Sequence, residues 1–146
     1  MALVRGCNIP EDLYYLVDKH VWARLEDDLV VVGLTDVAQG MARTIISVSL
    51  KEPGKTVKKG RSLATVESGK WVGPVPSPVA GEVVEANSAL SSSPSTINSD
   101  PYGEGWVAKV RCSDWVNDSV DLVTGEEGVE AYRRFLEAEG ISCGEA

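Results

Sequence analysis

The chain has little histidine: His20 stands alone. Any imidazole-based acid–base mechanism would rest on that one residue, and most histidine-rich metal sites are excluded. Cysteine is also sparse. Cys7, Cys112 and Cys143 are far apart and form no Cys-x-x-Cys pair. An odd, scattered set reads neither as a disulfide framework nor as a zinc site, so the expectation is reduced, partly buried thiols and no metal. No run of about 18 apolar residues occurs, which leaves nothing to cross a membrane as a helix. Residues 1–6 lack the apolar core of a signal peptide, and the expected compartment is the cytoplasm. Positive charge is short as well: 14 Lys+Arg against 22 Asp+Glu give 14 − 22 = −8. That balance argues against nucleic acid or an anionic membrane as a partner. A glycine-rich phosphate loop is missing, as is any cluster of nucleophile, base and acid, which argues against an enzyme.

What is present is ordinary globular material. The 146 residues are 43% hydrophobic and 25% charged, enough for one domain over residues 1–146 with its own core, expected to be a monomer. Leu29-Val30-Val31-Val32-Gly33-Leu34 reads as a buried strand, with Thr35 as N-cap of a short helical turn over 36–41. Residues 44–50 alternate, which places Ile46, Val48 and Leu50 on one face of a half-buried strand. Further strands are expected at 63–66, 79–86 and 106–110. Pro74, Pro76 and Pro78 offer no N–H and cannot sit in a central ladder, so this return strand is expected to be irregular or at a sheet edge. Residues 88–98 read as a Ser-rich loop, and Asp100-Pro101-Tyr102-Gly103 as a type I turn. The period then changes. Thr124 and Glu127 form a capping box for a helix over 124–140 whose stripe is Val129, Tyr132, Phe135 and Leu136, with Gly140 as its stop. Many short strands separated by Gly/Pro turns imply a mainly β fold, a sandwich or barrel carrying a C-terminal helix.

One lysine stands apart. Lys51, Lys55, Lys58 and Lys59 line a turn-rich segment and read as a solvated face. Lys70 lies where two strands should reverse, in Glu67-Ser68-Gly69-Lys70-Trp71. A hairpin tip holds a side chain out on a rigid base, where a modifying enzyme can grip it; the bland alternative is an ordinary turn lysine.

Six ordered blocks resemble the H protein of the glycine cleavage system, a member of the biotinyl/lipoyl-domain superfamily. They are Ile9-Pro10-Glu11-Asp12-Leu13-Tyr14-Tyr15 with His20-Val21-Trp22; Val32-Gly33-Leu34-Thr35-Asp36-Val37-Ala38-Gln39; Val57-Lys58-Lys59-Gly60; Val66-Glu67-Ser68-Gly69-Lys70; the run from Ser77 to Asn87; and the run from Asn98 to Trp106. The resemblance spans about Ile9 to Leu136. It implies a lipoyl-domain-type flattened β-sandwich or barrel with short N-terminal helical segments. It also implies lipoic acid joined by an amide to Lys70, with Glu67, Ser68, Gly69 and Trp71 framing the attachment point. Such an arm reaches on the order of 14 Å from covalent geometry and works by reversible thiol–disulfide exchange. The protein is then a non-catalytic carrier, and a lipoate ligase or lipoyl synthase supplies the cofactor.

The residues around Lys70 depart from the usual H-protein pattern. Trp71 follows the lysine, and Val72-Gly73-Pro74-Val75-Pro76 contains no acid. Together with Arg5-Gly6-Cys7, these features resemble the lipoate-binding proteins of heterodisulfide-reductase-like sulfur oxidation. The favoured expectation is therefore a swinging arm that carries sulfane sulfur to a heterodisulfide-reductase-like complex. The alternative is glycine cleavage, with an aminomethyl group passing between glycine decarboxylase, aminomethyltransferase and dihydrolipoamide dehydrogenase. By the same resemblance His20 could line a resting groove for the arm, although a structural position near Trp22 is the plainer reading. Cys143 or Cys7 could act as a thiol partner of the arm. Trp22, Trp106 and Trp115 read as core. A biotin carrier would place methionines on both sides of the lysine, where this chain has Gly69 and Trp71. A relay protein that donates lipoate to other carriers is a further alternative.

Overall fold

The computed structural model describes residues 2–143. Within them the chain is mainly β. The larger sheet has seven antiparallel strands in the order β12 (Val123–Thr124), β3 (Tyr14–Leu16), β4 (Val21–Glu26), β5 (Leu29–Leu34), β11 (Ala108–Cys112), β10 (Gly81–Ala86) and β7 (Thr56–Val57). A three-stranded sheet, β6 (Ile45–Leu50), β8 (Ser62–Ser68) and β9 (Val72–Pro76), packs over part of it, and β1 (Ala2–Val4) pairs with β2 (Cys7–Ile9). The result is a flattened, open sandwich, not a closed barrel. A 3₁₀ turn, Val17–Lys19, and helix α1, Asp36–Ala42, are its helical segments near the N-terminus.

The unbroken apolar run of β5 follows from burial on both faces. Val30, Val32 and Leu34 point into the sandwich with Ile45, Val48, Leu63, Val66 and Val75. Val31 faces the other way, into a second core with Ile9, Tyr15, Trp22, Tyr132 and Leu136. A Cβ on Gly33 would lie 2.6 Å from the Trp22 indole, so glycine is what lets that ring lie against the sheet. Above this second core sits a 15-residue helix, Gly125–Glu139. Its stripe is placed as expected, with Val129, Tyr132 and Leu136 buried and Phe135 packed beside them, and Gly140 ends it in the left-handed region at φ 67°. At the start of α1 the Thr35 hydroxyl accepts from the Ala38 N–H at 3.3 Å, as its N-cap role requires.

Several expectations are corrected. In β6 a bulge between Ile45 and Ser47 inserts a residue, so Ile45 and Val48 turn inward and Ile46 is 57% exposed. Residues 88–98 are not a plain loop: α2 (Ala89–Ser92) and α3 (Thr96–Ser99) bury Leu90 and Ile97. The late strand begins at Ala108, two residues after its expected start. The capping box does not form. Thr124 is extended and paired with Tyr14 in β12, and its hydroxyl donates instead to the Leu13 carbonyl at 2.7 Å. The largest correction concerns cysteine. Cys7 and Cys143 form a disulfide across 136 residues of sequence, with Cα atoms 4.7 Å apart, and Cys112 alone is a free thiol. Local geometry explains the pairing. Arg5 and Gly6 both have positive φ and turn the chain back into β2. The Cys143 N–H donates to the Arg5 carbonyl at 2.9 Å, and a Cβ on Gly6 would strike the Cys143 carbonyl oxygen at 2.1 Å. Only glycine admits the tail there.

Candidate functional site

Sheet pairing sets the position of Lys70. In the β8–β9 hairpin Glu67 opposes Val72 and Val66 opposes Gly73. The Ser68 N–H donates to the Trp71 carbonyl at 2.7 Å, which closes a turn over Gly69 and Lys70. Ser68 is buried while the tip is not, and its hydroxyl accepts from the Lys70 N–H at 3.4 Å. The structure therefore brings Glu67, Ser68, Gly69, Lys70 and Trp71 together as one rigid tip. Glu67, Gly69 and Lys70 are exposed, and Trp71 is 41% exposed. Nothing lies within 4 Å of where a Gly69 Cβ would be, so the approach to Lys70 is open.

Sequence reasoning misses Gly73. A Cβ at that position would lie 2.2 Å from the Trp71 ring, so the indole lies against Gly73 in space that a side chain would fill. An aromatic residue two positions before a glycine in a strand is the available signal. The indole forms one wall of a groove of about 490 Å³ that also takes in Lys70, Leu34, Met41, Pro74 and Pro76. An aliphatic chain rooted at Lys70 fits such a wall, because it would exchange water for apolar contact. His20 lines the same groove. It has a left-handed backbone, and its Nδ1 lies 3.3 Å from the Tyr132 hydroxyl, with the ring edge-on to Phe135 at 4.9 Å. Its structural contacts are thus with the C-terminal helix rather than with Trp22. Burial lowers its pKa from 6.5, against a smaller opposing effect of Asp18, which keeps it neutral at neutral pH.

Of the three tryptophans read as core, Trp22 is fully buried and donates to the Pro101 carbonyl at 2.9 Å. Trp106 and Trp115 are half-buried; Trp115 stacks edge-on against Tyr14 at 4.9 Å. Cys7 is buried and Cys143 half-buried. A smaller cavity of about 270 Å³ is lined by both Cys143 and Lys70. Cys112 lies apart, opposite Gly81 in the larger sheet, and burial raises its thiol pKa. Among the described residues, no group of three or more His, Cys, Asp or Glu gathers as a metal site.

A sandwich that presents one lysine on a rigid hairpin tip beside an apolar groove is the architecture of a swinging-arm carrier. Comparison with known proteins agrees: the chain belongs to the glycine cleavage H-protein family, which it matches over residues 13–135. The members of that family are non-catalytic carriers with lipoate held covalently on a lysine. The chain is 51% identical to "Glycine cleavage system H protein 2" of Aquifex aeolicus, covering 97% of this chain and 88% of that protein. It is 44% identical to "Probable glycine cleavage system H protein 2" of Sulfolobus acidocaldarius, over 98% and 97% of the two chains. A crystal structure of a glycine cleavage system H protein from Mycobacterium marinum superposes with a TM-score of 0.74 at 32% identity, covering 91% of this chain and all of that one.

Proposed function

We propose that Lys70 is the lipoate-bearing lysine of this chain and that the protein serves glycine cleavage. In this role it shuttles a thiol-bound group and electrons between the decarboxylase, the aminomethyltransferase and dihydrolipoamide dehydrogenase, after a lipoate ligase has loaded it. The observation that carries the reading is Lys70 itself, exposed on a two-strand tip beside an apolar groove, within the segment shared with the family. When attached, the cofactor supplies reversible thiol–disulfide chemistry. The residues of the chain do the rest. The Ser68–Trp71 main-chain bond fixes the direction in which the lysine leaves the sheet. Acylation removes the ammonium charge, so the root of the side chain can lie against Trp71 and Met41 without the cost of desolvating an ion. His20, neutral at neutral pH, adds no charge to that groove.

The test is intact mass after co-expression with a lipoate ligase. The wild type should gain one lipoyl group and Lys70→Arg none, and glycine plus the decarboxylase should then reduce the loaded protein. A bare Lys70 under conditions that fully load a control H protein overturns the reading. A second reading is favoured by Trp71 and the acid-free Val72-Gly73-Pro74-Val75-Pro76. It gives the same arm to sulfane-sulfur transfer toward a heterodisulfide-reductase-like complex. The names of the relatives support glycine cleavage over it. Loading with thiosulfate-derived sulfur, together with no response to glycine and decarboxylase, would select the second reading.

A further inference from the structure

The Cys7–Cys143 bond holds the tail to the β1–β2 turn. Cys143 and Lys70 line one cavity of about 270 Å³, although the two residues are far apart in sequence. Gly40 of α1 lines it too, and a Cβ there would touch the Cys143 sulfur at 3.7 Å, so a side chain at this position would lie against the sulfur. Arg43 lines the same cavity and brings a positive charge, which favours the thiolate form of any sulfur that enters. Cys7 is buried and is not among the lining residues. Of the two disulfide partners, Cys143 alone borders the space beside Lys70, and Cys7 is buried away from it.

Resting on Lys70 as the anchor of lipoate, we propose that the Cys7–Cys143 disulfide is a second redox centre that takes electrons from the arm of the same molecule. A reduced arm has two S–H groups. One of them, as thiolate, attacks the Cys143 sulfur; the Cys7–Cys143 bond breaks, and the Cys7 sulfur leaves and takes up a proton. The other arm sulfur then displaces Cys143, which is protonated in turn, and the five-membered disulfide ring closes. Two electrons and two protons pass from the arm to the cysteines. The arm is oxidised, the cystine is reduced, and no outside oxidant is needed. The carrier thus stores one reducing equivalent pair besides the pair on its cofactor.

The experiment uses the lipoylated full chain, its loading first established by intact mass. NADH and dihydrolipoamide dehydrogenase are added anaerobically, the reaction is quenched in acid, free thiols are alkylated, and peptides are read by mass spectrometry. The expected result is two NADH consumed per protein instead of one, alkylation of both Cys7 and Cys143, and a rate of cysteine opening that dilution does not change. In Lys70→Arg neither cysteine should be labelled. Cys143→Ser should return consumption to one NADH. Gly40→Leu, which sets a side chain over the sulfur, should slow opening by about tenfold at full lipoyl content. Consumption of a single NADH with both cysteines unlabelled overturns the inference, as does equal labelling in Lys70→Arg. A protein that gains no lipoyl mass instead overturns the function proposed for Lys70, and this inference falls with it.

Discussion

Two regions of the molecule place their residues by opposite means. Beneath the C-terminal helix, side chains do the holding: Tyr15, Trp22, Tyr132 and Leu136 are fully buried, and Tyr15 and Tyr132 meet edge to face at 5.5 Å. At the hairpin tip the main chain does it. The Ser68–Trp71 bond and the β8–β9 ladder fix residues 69–71 while the side chains of Lys70 and Trp71 remain exposed. A position held by backbone alone leaves its side chain free for modification at no cost to folding. One held by packing does not.

The sharpest way to break that contrast is Lys70→Arg. It should abolish lipoylation and all carrier activity, read by intact mass and glycine-dependent reduction, while urea unfolding shifts by no more than about 0.5 kcal/mol. A large loss of stability would mean that the tip is packed after all. Tyr132→Ala tests the other region. It should cost about 3–5 kcal/mol in urea unfolding, yet whatever fraction stays folded should still accept lipoate. Gly73→Ala lies between the two. Its Cβ would collide with the Trp71 ring, which is exposed enough to swing away. Stability should change by less than about 1 kcal/mol, while the kcat/KM of the ligase or of a partner enzyme falls several-fold. The smallest effect belongs to His20. The unfolded chain takes up a proton near the ordinary pKa of 6.5, and the folded chain resists it. Stability should therefore fall as pH drops below about 6.5. Thermal melts of His20→Gln should lose part of that slope.

How much of this was legible in the sequence follows the same division. Features set by neighbours in the chain could be read directly: the β5 run, the Thr35 cap, the stripe of the last helix, and the reversal at Gly69–Lys70. Features set by contacts from elsewhere could not. Thr124 has the residue type of a cap, yet strand pairing with Tyr14 takes its hydroxyl to Leu13. Ile46 fits a strict alternation that one bulged residue undoes. Leu90 and Ile97 sit in a Ser-rich stretch whose short helices exist because the sandwich core receives those two side chains. Cys7 and Cys143 stand 136 residues apart, and no local pattern announces that they meet. At the site, the strand reversal set Lys70 apart from the other lysines, and the family resemblance gave it a cofactor. The indole's rest on Gly73 and the shared cavity with Cys143 needed the fold.

The edge strand beside the tip has a consequence for life in a crowded solution. β9 pairs with β8 on one side only, and two of its five residues, Pro74 and Pro76, have no N–H to offer. A bare strand edge is a template for annealing one sheet to another, and prolines blunt it. A carrier handled in turn by several enzymes, as proposed for this chain, has to be touched often without sticking. The same prolines that wall the groove keep neighbouring copies from stitching their sheets together at the point of greatest traffic.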